Sequence, residues 1–371
     1  MSFTHNTMAK LIIDQNIIIE CISFGAPVMA LGELVFNTAM SGYQEVCTDP
    51  SYKGQFIVFS YPHIGNTGIN LEDNESNIIH NSGLLVHKYT YQPSSWRCLT
   101  SLSSFLIKNS IPAVEGVDTR FLVKLIKTHG SLRACLDCRT NSDLDDAYDA
   151  LRNYKGLSGL DLASQVTTKE KYYFNPESTN KKIIAVIDLG VKKSILHFLA
   201  TLGFKVVCFP AKTTLDELLS NDPVGVVLSN GPGDPEPCNY VHPIVHYCVS
   251  HKLPLLGICL GFQIIALALG AKSKKMKYGH HGINHPILDL RTHQSVISSQ
   301  NHSFEILETT LTSSLIATHR SLFDGSLQGF VSATAPLIAI QGHPEANPGP
   351  HDFKYIFNEF KSLIDKNAKT K

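Results

Sequence analysis

The sequence predicts a two-part α/β protein: an N-terminal mixed, β-rich α/β domain, then a domain built on a mostly parallel sheet covered by helices. Three observations carry this. Short apolar runs with turn signals fill the N-terminal part, as strands do. From Ile183 onward, short apolar runs alternate with helical patterns, the order that builds a parallel sheet wrapped on both faces. Between them, 167–182 turns polar and reads as a linker, so the expected boundaries are 1–166, 167–182 and 183–371.

In the first part, 10–13, 17–22 and 55–61 read as strands, with turns at Asp49-Pro50 and Gly65-Asn66. One segment breaks the pattern: Phe121, Leu122, Leu125 and Ile126 recur at helical spacing after Thr119, and Gly130 closes the run. In the second part, 183–187, 206–209 and 224–228 read as strands, with helices near 192–202 and 214–219. The most apolar stretch, 253–271, is long enough to raise a membrane span. Pro254, Gly257, Gly261 and Gly270 argue instead for a buried strand turning into a helix.

Composition narrows the function classes. A chain of 371 residues, 43% hydrophobic and 17% charged, can bury two cores. Lys+Arg and Asp+Glu both total 32, so no basic excess draws nucleic acid or an anionic membrane. The nine cysteines are sparse and odd in number, which fits reduced thiols of a cytoplasmic protein. Cys135 and Cys138 form a lone C-x-x-C without a second pair, so no metal site is expected. The first ten residues lack a basic region followed by an uninterrupted apolar core, so no export signal is expected.

The chemistry centres on Cys259, set between glycines where the apolar strand turns into its helix. A thiol at such a turn is held out of the bend, at the positive end of a helix and near backbone N–H donors for an oxyanion. The same residue also fits a small buried hydrophobe. Near the chain's end, an apolar strand delivers His343 with Glu345 two residues on. A cysteine nucleophile needs an imidazole as base and a carboxylate to fix its tautomer, and these residues can supply both. Cys259 and the Ser-Asn-Gly-Pro-Gly-Asp-Pro loop at 229–235 both follow strands, where ligands of parallel sheets bind.

Taken in order, that loop, Gly-Ile-Cys-Leu-Gly-Phe-Gln around Cys259 and Gly-His-Pro-Glu at 342–345 resemble the class I (triad) glutamine amidotransferases. The N-terminal half is similar to the small-subunit family of carbamoyl-phosphate synthetase. That likeness rests on Gly-Glu-Leu-Val-Phe-Asn-Thr-Ala-Met-Ser-Gly-Tyr-Gln-Glu (32–45), Thr-Asp-Pro-Ser-Tyr (48–52), Tyr-Pro-His-Ile-Gly-Asn (61–66) and Val-Asp-Thr-Arg (117–120). Gly-Leu-Asp-Leu-Ala (159–163), Gly-His-His-Gly (279–282) and Leu-Phe-Asp-Gly-Ser-Leu-Gln-Gly (322–329) fit the same family.

The resemblance implies that Cys259 attacks the side-chain amide of glutamine, with His343 as base then acid and Glu345 orienting it. It implies oxyanion donors at Gly231 and Leu260, and glutamine binding by Ser51, Gly231, Gly233, Leu260, Gln263, Asn301, Ser303 and Phe304. It implies no cofactor on this chain. A separate large subunit, in a heterodimer or larger complex, would use ATP, Mg and bicarbonate to make carbamoyl phosphate for arginine and pyrimidine synthesis. The first domain would associate with that partner.

Plainer roles stand beside these. Gly231 and Gly233 suit a tight turn around Pro232, Ser51 a turn, Asn301 a loop cap, and Gln263 a support beneath the site. Adjacent His280 and His281 on a strand point to opposite faces, which favours structure over metal. Cys238 fits packing or a reactive bystander. Phe262 stands where relatives often carry histidine, and Ser303 where they often carry glycine. Ser303 would strain the backbone if that position needs positive φ. Rival readings are a free-standing γ-glutamyl hydrolase, another pathway's amidotransferase, or a non-catalytic scaffold subunit.

Overall fold

The computed structural model describes residues 7–14, 16–141 and 143–370, and the chain forms two units, Met1–Ser158 and Gly159–Lys371. Part of the export-signal expectation falls on residues 1–6, outside the described residues.

In the first unit, β1 (Thr7–Ile13), β2 (Ile17–Ser23), β3 (Met29–Asn37), β4 (Gln55–Phe59), β5 (Gly83–Leu85), β6 (Ala113–Glu115) and β7 (Arg133–Asp137) close a barrel in the order β1-β2-β6-β5-β4-β3-β7. β7 pairs back onto β1, which removes the exposed edges of an open sheet. Outward apolar residues Val35, Ile57, Leu84 and Ala113 pack with Tyr43 and Val46 of α1 (Tyr43–Thr48) and Leu102 and Leu106 of α2 (Leu102–Lys108). The helix read around Phe121 is α3 (Thr119–His129): the Asp118 side chain accepts from Phe121 N–H at 2.9 Å, and Gly130 closes it at φ 90. On another side, Ile12 and Cys135 pack with Ala147 and Leu151 of α4 (Leu144–Asn153).

The second unit opens with a single helical turn, α5 (Ala163–Val166). Its sheet comprises β8 (Tyr172–Tyr173), β9 (Ile183–Asp188), β10 (Lys205–Pro210), β11 (Gly225–Leu228), β12 (Leu255–Ile258), β13 (Ser273–Asp289), β14 (Gln294–Ile306), β15 (Leu315–Ser321), β16 (Leu327–Ser332) and β17 (Leu337–Ile340). The order is β8-β10-β9-β11-β12-β17-β16-β15-β13-β14, with β10, β9, β11, β12 and β17 parallel. Alternation divides these strands between two cores. Ile184, Val186, Val227 and Leu256 pack against α6 (Lys193–Thr201) and α10 (Tyr355–Thr370). Ala185, Ile187, Val226 and Leu255 pack against α8 (His242–Ser250) and α9 (Leu260–Ala268), with α7 (Leu215–Leu219) alongside.

Two features differ from the sequence reading. The division between units falls after Ser158, and the polar segment expected as a linker lies along the second unit. Tyr172–Tyr173 pair with β10, and Thr168 N–H donates to Asp188 Oδ2 at 2.7 Å. Its polar groups satisfy the edge of the sheet, so polarity there does not mean freedom. The other difference is that β13 to β16 extend the sheet antiparallel. The β13/β14 hairpin is rich in histidine, serine and glutamine and broken by register shifts, which hides its two-residue period. Among the described residues no helix is long and apolar enough to cross a membrane. The 253–271 stretch is β12 followed by α9.

Candidate active site

Cys259 alone makes the turn from β12 into α9, at φ 54 and ψ −104. A non-glycine residue held in such a region costs about 1–3 kcal/mol, so the surroundings must impose it. They do so by close packing. A Cβ on Gly257 would lie 2.5 Å from Ile265 Cδ1 and 2.9 Å from the Gly261 backbone, and one on Gly261 would run into the Leu228 carbonyl. Backbone bonds fix the same approach: Gly261 N–H donates to Ser229 O at 3.0 Å and Cys259 N–H to Ile340 O at 2.8 Å. The thiol is buried, donating to the Asn301 carbonyl at 3.4 Å, with Gln341 Nε2 3.7 Å from the sulfur.

The opposite wall follows β17. His343 N–H donates to Ser299 O at 2.9 Å, and its Nδ1 donates to Glu345 Oε1 at 2.6 Å. Lys192, at the start of α6, places Nζ 3.0 Å from the same oxygen and donates to Ala346 O at 2.6 Å. Lys192 is itself located by Asn230, whose Oδ1 accepts from its backbone N–H at 3.0 Å. Burial alone would neutralise both acid and imidazole. Instead, against that desolvation, Lys192 and then His343 hold the Glu345 carboxyl well below the usual range. Against the same penalty, Glu345 first and Cys259 next hold His343 well above the ordinary imidazole value. His343 Nε2 is buried without a hydrogen-bond partner among the described residues. A proton accepted there is therefore stabilised by the carboxylate behind it, as a general base requires.

Around this pair stand most of the other residues singled out from sequence. Gly233 has φ +86, a left-handed value that glycine allows. Gly231 is glycine for another reason: a Cβ would run into the Leu189 carbonyl and approach Leu260 Cδ2 at 2.8 Å. Leu260 opens α9, where N–H groups lack intrahelical acceptors. Gln263 Nε2 donates to Phe304 O at 2.8 Å and Gln341 Oε1 at 2.9 Å, so its amide ties α9 to β14 and β17. The Asn301 carbonyl meets the thiol, while its Oδ1 lies 2.8 Å from His281 Nδ1. Ser303 and Phe304 follow on β14, and Ser303 is not among the positive-φ residues, so serine brings no such strain. The glycine freedom is used across the hairpin, where Gly279 (φ +69) faces His302 and Ser303. Ser51 belongs to the first unit, its N–H donating to Asp49 Oδ1 at 2.9 Å.

Other candidates take structural positions. Phe262 is fully buried with its ring 5.0 Å from Phe330. His280 Nε2 pairs with Asp324 at 2.9 Å on the face opposite His281. Among the described residues no group of three or more His, Cys, Asp or Glu could hold a metal ion. Burial pushes the Cys238 thiol up to about 12, which leaves it a packing residue at neutral pH. Sequence reading missed Lys192 and Gln341. The available signal for Lys192 was a lysine just beyond the carboxyl end of a parallel strand, β9.

Comparison with known proteins agrees with this division. Residues 11–136 match the carbamoyl-phosphate synthase small chain, CPSase domain family, and residues 185–363 match glutamine amidotransferase class-I. The chain is 44% identical to the carbamoyl phosphate synthase small chain of Thioalkalivibrio sulfidiphilus, covering 96% of this chain and 97% of that one. It is 43% identical to the protein of the same name from Vibrio parahaemolyticus (97% and 99% covered) and 42% to that of Xylella fastidiosa (96% and 98%).

Proposed function

The chain belongs to the carbamoyl-phosphate synthase small chain family, and on that footing we propose that it hydrolyses L-glutamine and passes ammonia to a large chain that makes carbamoyl phosphate. The observation that carries this is the buried line Lys192–Glu345–His343 facing a strained Cys259.

The proton of Cys259 Sγ moves to His343 Nε2 as sulfur attacks the amide carbon of glutamine, and the Glu345 carboxylate stabilises the imidazolium. The carbonyl electrons move to oxygen, which accepts hydrogen bonds from the Gly231 and Leu260 N–H groups. Collapse breaks the C–N bond; His343 returns the proton to nitrogen and ammonia leaves a γ-glutamyl thioester. Water then gives His343 a proton as it attacks; the second collapse breaks the C–S bond, His343 returns that proton to the departing Cys259 sulfur, and glutamate is freed. Gly233, Gln263, Asn301, Ser303 and Phe304 hold the substrate or the loops around it.

The large chain binds this subunit through its first domain, as a heterodimer or larger complex, and carries the ATP and Mg that the reaction with bicarbonate needs. The product serves arginine and pyrimidine synthesis in the cytoplasm. Ammonia release from glutamine by the chain, alone and with its large chain plus ATP and bicarbonate, tests the reading. Weak release that rises with the partner supports it. Release that ignores the partner points to a free-standing hydrolase, and none under either condition to a scaffold.

A further inference from the structure

The second unit begins with a strap laid on the loop that carries Gly231 and Gly233. Gly159 N–H donates to Asp234 Oδ2 at 3.0 Å, while Asp234 Oδ1 accepts from Glu236 N–H at 3.0 Å within the loop. Leu162 is buried against Gly233, so close that a Cβ on that glycine would lie 3.2 Å from three Leu162 carbons. Val166, ending α5, and Pro232 crowd Gly190, lying 3.0 and 3.1 Å from where its Cβ would stand.

One side chain gathers these contacts. Asp161 Oδ1 accepts from Ser164 N–H, in the single turn of α5, at 3.0 Å, and from Tyr240 Oη, just beyond the glycine loop, at 3.1 Å. Its Oδ2 lies 3.2 Å from Lys212 Nζ. Although burial opposes ionisation, the donors from Ser164, Lys212 and Tyr240 hold this carboxyl below its ordinary range. The loop it restrains has two glycines that leave it cheap to deform. Backbone groups that hold a bound substrate do so best when they are already in place before it arrives.

We propose that Asp161 is a positioning residue for glutamine binding: with Leu162 it clamps the 159–166 strap onto the Gly231–Pro232–Gly233 loop and holds the Gly233 side of that loop in the shape that binds glutamine. The proposal rests on the reading that this loop holds glutamine. Asp161 touches neither the substrate nor the reacting atoms, so its loss moves the concentration of glutamine required more than the chemistry of the bound complex.

The test is made on the full chain in complex with its large chain. Asp161→Ala raises the KM for glutamine about tenfold and Leu162→Ala by about fivefold, with kcat within about threefold of wild type. Asp161→Asn keeps the acceptor for Tyr240 and Ser164, and gives a smaller rise with an unchanged melting temperature. A second readout separates positioning from general damage. Alkylation of Cys259 by iodoacetamide without glutamine keeps its wild-type rate in all three variants, while the glutamine needed for protection rises with KM. If wild type is protected by glutamine and the Asp161 and Leu162 variants are protected at the same concentration, the strap is overturned. If glutamine does not protect wild type at all, the glutamine reading of the loop fails, and the strap with it.

Discussion

Histidine is buried in two regions of the second unit, with opposite results. On the β13/β14 hairpin, burial pushes His281 down to about 4 and His285 to about 3, with repulsion from neighbouring His280 adding to it. His302, stacked edge-on to His280 at 5.0 Å, is lowered further. His343 is as deeply buried, yet Glu345 reverses the effect. The difference is not depth but the carboxylate, and the carboxylate stays ionised because Lys192 stands 3.0 Å behind it. Burial strips a proton from an imidazole by default; a buried ion pair supplied from another strand end is what turns one of these histidines into a base.

The sharpest way to break the comparison is Glu345→Gln. His343 then loses the charge that chiefly raises it and shifts toward the hairpin histidines, and kcat for glutamine hydrolysis falls about 10³–10⁴-fold with little change in KM. A loss under tenfold in steady-state assays contradicts the assigned role. Lys192→Met comes next, since it leaves the buried Glu345 with His343 as its one remaining charge partner among the described residues; urea unfolding should show about 3 kcal/mol lost at pH 7. Gly261→Ala acts on the other wall, where packing and not charge sets geometry. It should cost about 1–3 kcal/mol, and that cost should stay level across pH 5–8, where the Lys192 cost should not.

The smallest effect is a slope. His281, His285 and His319 have lowered values in the folded state, so each contributes stability that is present above the unfolded imidazole value and lost as pH falls toward 4 or 3. Glu345 is likewise lost only as pH falls through its depressed folded value. His343 has the reverse sign: its contribution is full below the unfolded imidazole value and lost as pH rises through the raised folded one. Replacing His285 by Gln should flatten the stability profile by about 1.4 kcal/mol per pH unit between pH 4 and 6. Unfolding followed at several pH values reads this directly, and an unchanged slope means that His285 is already charged when folded.

What the sequence made legible follows the same divide. The Cys259 elbow is marked locally by apolar residues and two glycines within seven positions, although the packing that imposes its backbone comes also from Leu228, Ser229 and Ile340. His343 and Glu345 are local to each other, so their pairing was also readable. Lys192 lies far from both in the chain, and only the parallel order β9, β11, β12, β17 brings it there. Gln341 and the Asp161 strap were hidden for the same reason, their partners being distant in sequence. Ser303 shows a conditional reading corrected. Its strand backbone is not at positive φ, whereas Gly279 on the facing strand is.

The most direct measurement is acid quench of the complex during turnover of glutamine, followed by mass spectrometry of the peptide containing Cys259. The account predicts a γ-glutamyl adduct on Cys259 that is absent in Cys259→Ser, together with loss of ammonia release in that variant. Ammonia release that persists in Cys259→Ser, with no adduct in wild type, would contradict it.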